Sequence, residues 1–460
     1  MKTTGWRSLV LYILGAGLLA GLIFFVVTFF LDGGSWAMRS NNQHLSQGSQ
    51  LGGAGSITDR DGVVVAHSED GQRIYADDAT TREALLHVVG DTAGFISTST
   101  QAAFRSQLTG YNPVMGVGSL KNNQNGSNIQ LTVSSSLSRL ALESLGGKNG
   151  AVALYNYRTG EVLCMVSSPT FDPQNPPADL DSDETGKYEG VYLNRVLSST
   201  FTPGSIFKIV TSAAAIENLP DIQSRTFHCS GKITVNGREI TCETAHGDIS
   251  FQDGLARSCN IVFAELAMEL GGDIMTQTAA SMGFGSVFYV DDNPTAKSQY
   301  DVSQATEDEL AWSGIGQHTD LVNPAHMLIL MGAIANDGVP VMPYTIAQVT
   351  NSLGIVTRTG QAEQGPRLVQ ESTAAVLQSM LRYNVTGDYG DSMFPGMSVC
   401  AKTGTAEVGG KQPHGWIVGF SQNEDTPFAF AVVVEEGGYG RTSAGNIASA
   451  LMQAAASSIS

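Results

Sequence analysis

Hydrophobic positions fall into one long run and many short periodic segments. Leu9 to Leu31 is 23 residues without a charge. At about 1.5 Å per residue, a helix of that length crosses a hydrocarbon core of roughly 30 Å. Lys2 and Arg7 precede the run, no acid lies among the first eight residues, and Trp6 and Trp36 bracket it. Positive flanks stay inside and aromatic rings favour the interface. The pattern predicts a cytoplasmic tail over 1–8, a retained single-pass anchor over 9–31, and a long part outside the cytoplasm. A cleaved signal would have a shorter apolar core and a small-x-small site soon after it. Here Phe24 to Leu31 is bulky and Ser35-Trp36-Ala37 is a poor cleavage site.

Ser35 to Gly55 is rich in Ser, Asn, Gln and Gly, so a flexible stalk is expected over 32–55. Two short strands are predicted around the Asp61-Gly62 turn within 57–65. They open a small mixed region over 56–146, in which 121–128 reads as a polar linker. Leu137, Leu140, Ala141 and Leu145 repeat at helical spacing before Gly146-Gly147 stops them. Strands at 151–155 and 162–166 flank the Arg158-Thr159-Gly160 turn. Helices are predicted over 206–217 and from Phe263 to Leu270, ended by Gly271. Strands at 416–420 and 428–434 and an Ala-rich helix over 445–457 close the chain. Strands at both ends with helices between them predict an α/β sandwich over 147–460 whose sheet joins N- and C-terminal strands.

Composition narrows the chemistry. With 25 Lys plus Arg against 43 Asp plus Glu, the net charge of −18 argues against a nucleic-acid partner. A hydrophobic share of 42% supports a sizeable core. Five cysteines in 460 residues exclude a disulfide scaffold. Cys229 and Cys242 flank Lys232 to Thr241, centred on Asn236-Gly237, the signature of a tight hairpin. In that register Cys229 lies two residues off from facing Cys242, so a bond between them needs slack at the hairpin base. The eight His include no His-x-x-x-His pair and no Gly-rich loop precedes a Lys-Ser/Thr pair; neither metal nor cofactor is expected from spacing.

Three elements in order carry the candidate chemistry. In Pro203-Gly204-Ser205-Ile206-Phe207-Lys208, Ser205 and Lys208 are three apart on one face at the head of a helix. A serine with a lysine one turn away is a nucleophile with its base, provided the lysine's pKa is pulled down. The bland reading is a capping serine and a solvated lysine, yet of nine lysines only Lys208 has a serine three before it. Ser258-Cys259-Asn260 opens the next helix, where a serine often serves only as an N-cap. Lys402-Thr403-Gly404-Thr405 follows a strand-like stretch and occurs once. Its Lys offers positive charge to a substrate carboxylate, and its Gly lets a backbone approach closely. Each element is modest alone; the ordered set S-x-x-K, S-x-N, K-T-G is specific.

On these motifs the chain resembles the penicillin-binding proteins, most nearly the short class B (monofunctional) D,D-transpeptidases, from about Gly150 onward. Thr159-Gly160-Glu161, Ser168-Pro169, Asp172-Pro173, Asn194-Arg195, Cys229 and Cys242 with His246-Gly247, Gly314-Ile315-Gly316-Gln317 and Trp416 extend the likeness. Gly55 to Gly62 is similar to the family's Arg-Gly-x-Ile-x-Asp-Arg-Asn-Gly without its leading Arg, and His318 stands where relatives often have Gly. The resemblance implies an α/β (α+β) serine transpeptidase fold of the β-lactamase-like sandwich type, with a small N-terminal domain. It implies that Ser205, deprotonated by Lys208, attacks the D-Ala-D-Ala amide of a peptidoglycan stem peptide. Ser258 relays a proton, Asn260 holds Lys208 and the substrate amide, and Lys402 and Thr403 bind the terminal carboxylate. Backbone N–H groups of Ser205 and Thr405, beside Gly404, form the oxyanion hole, and β-lactams acylate Ser205.

About 120 residues separate Leu31 from Gly150, too few for a glycan-polymerising domain beside a stalk. The resemblance therefore implies a separate membrane glycosyltransferase partner of the shape, division or sporulation polymerase family. The alternatives are a β-lactamase or a β-lactam-binding sensor using the same serine. The first lacks a Glu-x-x-Leu-Asn segment between Asn260 and Lys402, and the second has only eight residues ahead of Leu9 for a cytoplasmic signal.

Overall fold

A computed structural model describes residues 2–37, 48–110, 126–180 and 182–459. Residues 38–47 of the expected stalk and 121–125 of the expected linker lie outside that set. The first helix spans Lys2–Ala37, and its segment Gly5–Phe29 is long and apolar enough to cross a membrane, with a mean hydropathy of 2.6 and no burial against the rest of the chain. The expected stalk is shorter at its far end. Gly48–Gly53 forms a 3-10 turn beside the strands Val64–Glu69 and Gln72–Tyr75, and Leu51 and Ala54 are buried.

The larger architecture is a five-stranded antiparallel sheet in the order Val399–Ala406, His414–Ser421, Phe428–Val434, Gly150–Asn156, Val162–Ser168. The N-terminal pair thus extends a sheet begun by C-terminal strands, as the pattern predicts. Alternate residues supply its two faces. Val152, Leu154, Phe430 and Val432 pack under the helices Ser135–Leu145 and Ala444–Ile459. Ala153, Tyr155, Ala431 and Val433 face the other way, where the helix Pro324–Ala335 lies. Both faces are covered, so the central strands read as unbroken apolar runs.

A second sheet has six strands in the order Val356–Thr359, Ile346–Thr350, Asn128–Leu131, Ile57–Thr58, Val64–Glu69, Gln72–Tyr75. Asp59 turns its first hairpin by accepting the N–H groups of Asp61 and Val63, both at 2.9 Å, and reaches across to the Ser135 hydroxyl at 2.7 Å. The boundary expected at 146/147 does not divide the two sheets. Strands from 346–359 complete the N-terminal sheet, while Ser135–Leu145 packs on the sandwich. A long excursion returning to an earlier sheet leaves no mark in local periodicity.

Phe430 is fully buried and stacks on Phe394 with ring centroids 5.9 Å apart. Phe430→Ala should lower the unfolding free energy by about 3–5 kcal/mol. Val356→Ala, at a 46% exposed edge position, should stay within about 0.5 kcal/mol. Urea denaturation of the two variants checks the contrast.

Candidate active site

Pro203 leads into a 3-10 turn, Gly204–Phe207, which runs directly into the helix Lys208–Asn218. A 3-10 turn sets residues three apart nearly above one another, so Ser205 and Lys208 share a face. Gly204 has φ +54°, and a Cβ there would lie 2.8 Å from the Thr405 carbonyl oxygen. On the other side its N–H donates to the Gly316 carbonyl at 2.8 Å. The Trp416 indole N–H donates to the Thr202 carbonyl at 3.0 Å. The turn is therefore clamped between the 314–317 segment and the 399–406 strand. Ser205 is half-buried, and among the described residues its hydroxyl has no hydrogen-bond partner. The solvated-lysine reading fails, because Lys208 is fully buried.

Ser258 is not a helix cap. The helix Asn260–Ser281, interrupted at Gly271, begins after Cys259, and Ser258 sits in the left-handed region at φ +54°. That conformation costs a non-glycine residue roughly 1–2 kcal/mol. It turns the Ser258 carbonyl and hydroxyl together into the site. Lys208 Nζ donates to the Ser258 carbonyl at 2.6 Å and to Asn260 Oδ1 at 2.7 Å, with Ser258 Oγ at 3.1 Å. From the opposite side Lys402 Nζ reaches the same Ser258 Oγ at 3.1 Å and the Thr403 carbonyl at 3.0 Å. Asn260 is held in turn, its side-chain NH₂ donating to the Thr241 carbonyl at 2.7 Å.

Two amines thus meet at one hydroxyl, and both are fully buried. Burial disfavours the ammonium form and pulls Lys208 down to about 7. Burial, and then repulsion from Lys208, holds Lys402 well below its ordinary value. Near neutral pH the pair does not carry two full charges. A neutral lysine amine has two N–H donors and one lone pair. The Ser258 carbonyl and Asn260 Oδ1 occupy the donors of a neutral Lys208, and its lone pair is left for a hydroxyl.

The strand Val399–Ala406 is the outer edge of the sandwich sheet. The Thr403 N–H donates to the Tyr389 hydroxyl oxygen at 3.0 Å, away from the neighbouring strand. The two-residue period of a strand directs the Thr405 N–H to the same open edge. Gly404 lets this edge approach, since a Cβ there would lie 2.9 Å from the Pro203 carbonyl oxygen. All eight residues singled out in the sequence, Ser205, Lys208, Ser258, Asn260, Lys402, Thr403, Gly404 and Thr405, come together at this junction. His318 has φ +67°, a left-handed conformation that glycine adopts without steric cost.

A helix-head serine, buried amines on either side of a second serine, and a bare strand edge define the penicillin-recognising serine acyltransferases as a class. Residues 150–453 match the family model of the penicillin binding protein transpeptidase domain, and the chain belongs to that family. The peptidoglycan D,D-transpeptidase PbpA of Mycolicibacterium smegmatis is 28% identical over 344 residues, 68% of each chain. The peptidoglycan D,D-transpeptidase MrdA of Acinetobacter baumannii is 26% identical over 361 residues, 69% of this chain and 52% of that one. The ceftriaxone acyl-enzyme of penicillin-binding protein A from M. tuberculosis shares the fold at a TM-score of 0.77 and 23% identity, over 87% of this chain and 98% of that one. A D,D-transpeptidase domain from Eggerthella lenta superposes at 0.75 with 26% identity, over 88% and 98%.

Sequence reasoning missed several residues at the site. Tyr389 is buried, with its hydroxyl pushed up to about 12 by burial, and it meets both the N–H and the hydroxyl of Thr403. It comes from a π-turn, Val385–Tyr389, that has no pattern of its own. Cys229, Cys242, His246 and Cys259 gather behind Asn260. The Cys229–Cys242 bond that the sequence leaves open is not formed: all five cysteines are free, and Cys242 Sγ lies 3.6 Å from Cys259 Sγ. Gly316 has φ +79°, and a Cβ there would collide with the Gly204 carbonyl. Gly316→Ala should therefore displace the Ser205 turn. At least a tenfold loss in the rate of labelling by fluorescent penicillin is expected, measured beside an urea melt to separate it from unfolding.

Proposed function

We propose that the chain is a peptidoglycan D,D-transpeptidase that works through an acyl-enzyme on Ser205. The observation that carries the reading is the convergence of two desolvated amines on Ser258 Oγ, facing a strand edge, beside an unpartnered serine hydroxyl. Neutral Lys208 takes the Ser205 proton, and Oγ attacks the carbonyl carbon of the penultimate D-Ala of a stem peptide. The tetrahedral oxyanion is held by the backbone N–H groups of Ser205 and Thr405, each such donor worth roughly 3 kcal/mol. As the C–N bond breaks, the proton passes by way of Ser258 to the departing D-Ala amine. Asn260 fixes Lys208 and the substrate amide, while Lys402 and Thr403 receive the terminal carboxylate. The amine of a second stem peptide then attacks the ester, takes the acyl group and returns the proton to Ser205 Oγ. β-Lactams enter by the same attack and remain as the ester.

The reading includes a place in the cell. The apolar helix anchors the chain by a single pass, with tail 1–8 inside and the 147–460 unit outside, where cross-linking occurs. The 56–146 unit and the anchor face a separate membrane glycosyltransferase that supplies the glycan. Positive flanks and the lack of room for a polymerising domain support both points.

Ser205→Ala should abolish labelling by fluorescent penicillin while leaving the denaturation midpoint within error, and Lys208→Ala should slow acylation by several orders of magnitude. Labelling of Ser205→Ala, or near wild-type acylation by Lys208→Ala, would overturn the assignments. Because Lys208 must be neutral to act, the second-order acylation rate should fall about tenfold per pH unit below about 7 and level off above it. A flat profile from pH 5 to 9, read by penicillin fluorescence, would remove Lys208 as the base. Multiple turnover of nitrocefin would favour the β-lactamase reading instead.

A further inference from the structure

The turn between the strands Ile346–Thr350 and Val356–Thr359 carries an apolar tip that acyl transfer does not use. Leu353 is 80% exposed, more than any other large hydrophobic side chain among the described residues, and Ile355 is 58% exposed. Val356 continues the patch. No charge occurs from Gly338 to Thr357, a run of 20 residues, in a chain that is 15% charged. The turn also pairs much of its own backbone. Asn351 Oδ1 accepts the N–H groups of Leu353 and Ile355, each at 3.0 Å. The Asn351 N–H donates to the Ile355 carbonyl and the Gly354 N–H to the Asn351 carbonyl, both at 2.9 Å. Gly354, at φ +77°, makes that closure possible. A segment whose amides are paired internally leaves water at lower cost.

Register places this tip at the anchor's end of the N-terminal sheet. Thr350 pairs with Asn128, and the Asn128 side chain accepts the Ser56 N–H at 2.8 Å. Beside them the Ser127 N–H donates to the Gln107 carbonyl and the Gly55 N–H to the Leu108 carbonyl, both at 2.8 Å. Gln107 and Leu108 belong to the short helix Arg105–Thr109, which the anchor helix Lys2–Ala37 touches. Arg358, the first charge after the tip, folds back towards that helix. Its guanidinium lies 5.2 Å over the ring of Phe104, the residue just ahead of Arg105, and it pairs with Asp292 at 3.0 Å. The opposite end of the sheet offers a contrast. Val63 is 52% exposed, but it lies at the Asp61-Gly62 turn, beyond the Thr58–Val64 pair and away from the anchor.

Three apolar side chains on a narrow turn are too few for a stable protein interface, which takes about 800 Å² from each partner. A bilayer asks only that the side chains be apolar and the amides paired. We propose that the 351–356 tip rests in the extracytoplasmic face of the membrane that holds the anchor, at the boundary of headgroups and acyl chains, as a second, non-spanning foothold. The inference rests on the single-pass reading given above. The strands Ile346–Thr350 and Val356–Thr359 lie in the chain between the helices Pro324–Ala335 and Glu371–Asn384 of the catalytic unit. The foothold therefore sets the height and tilt of the Ser205 site over the membrane. Apolar burial drives the contact rather than charge, as suits a chain of net charge −18.

The full chain, reconstituted in phosphatidylcholine vesicles, tests this with one added tryptophan at a time. The emission that Leu353→Trp adds to that of the wild-type chain should be blue-shifted. It should lose at least half its intensity when the lipids carry bromine on their acyl chains. The emission added by Val63→Trp should stay at the wavelength of water-exposed indole and lose less than a tenth. Labelling by fluorescent penicillin at the wild-type rate checks that both variants are folded; should Leu353→Trp fail to fold, Ile355→Trp takes its place. Quenching at the tip no greater than at 63 would overturn the proposal. So would a benzophenone amino acid at position 353 that couples, in native membranes, to a polypeptide and not to lipid, which would give the tip to a protein partner. Alkaline carbonate that strips the wild-type chain from the vesicles would overturn the anchor reading and this inference with it. A retained chain without quenching at 353 would count against this inference alone.

Discussion

The structure depends on keeping two lysine amines out of water around one serine hydroxyl. Burying an ammonium ion is expensive unless it is paired, and the usual escape is loss of the proton. Among the described residues Lys208 and Lys402 have no carboxylate in direct contact; two backbone carbonyls, an amide oxygen and Ser258 Oγ take their hydrogens instead. The arrangement supplies a base near neutral pH at the expense of stability, and the left-handed backbone at Ser258 adds to that expense. Strain and desolvation concentrated at one point are the mark of a working site rather than of a fold optimised for stability.

The rest of the fold holds that point still. The sandwich sheet is covered by helices on both faces, so its edge strand 399–406 presents Lys402 and Thr403 on a rigid support. Glycine at 204, 316 and 404 allows three backbone segments to approach closer than any side chain would permit. Trp416, one strand in, pins the nucleophile turn through Thr202. On the far side the N-terminal sheet is completed by strands at 346–359. The two sheets are thereby laced together, and the chain between them is not a simple hinge.

Local chemistry made much of this legible in the sequence. The strands at 150–156, 162–168, 414–421 and 428–434 read as apolar runs because both their faces are buried. Asn236-Gly237 forecast the hairpin, and both residues have positive φ. The helix beginning at Asn260 does break at Gly271. What stayed hidden depends on contacts between segments distant in the sequence. Helical pattern at 258 suggests a cap, whereas Ser258 lies in the left-handed region and turns toward both lysines. Tyr389 enters from an irregular turn. The Cys₃His group is assembled by strand pairing between 226–229 and 247–250, which no spacing rule encodes. The segment expected as stalk packs sooner than its polar composition suggests, because Leu51 and Ala54 are buried.

The most direct test of the central claim is peptide mass spectrometry of the full chain after brief exposure to penicillin G. The account predicts a single penicilloyl adduct on the peptide containing Ser205, stable on the scale of the digest. An adduct on any other serine, or rapid release that leaves no modified peptide, would contradict it.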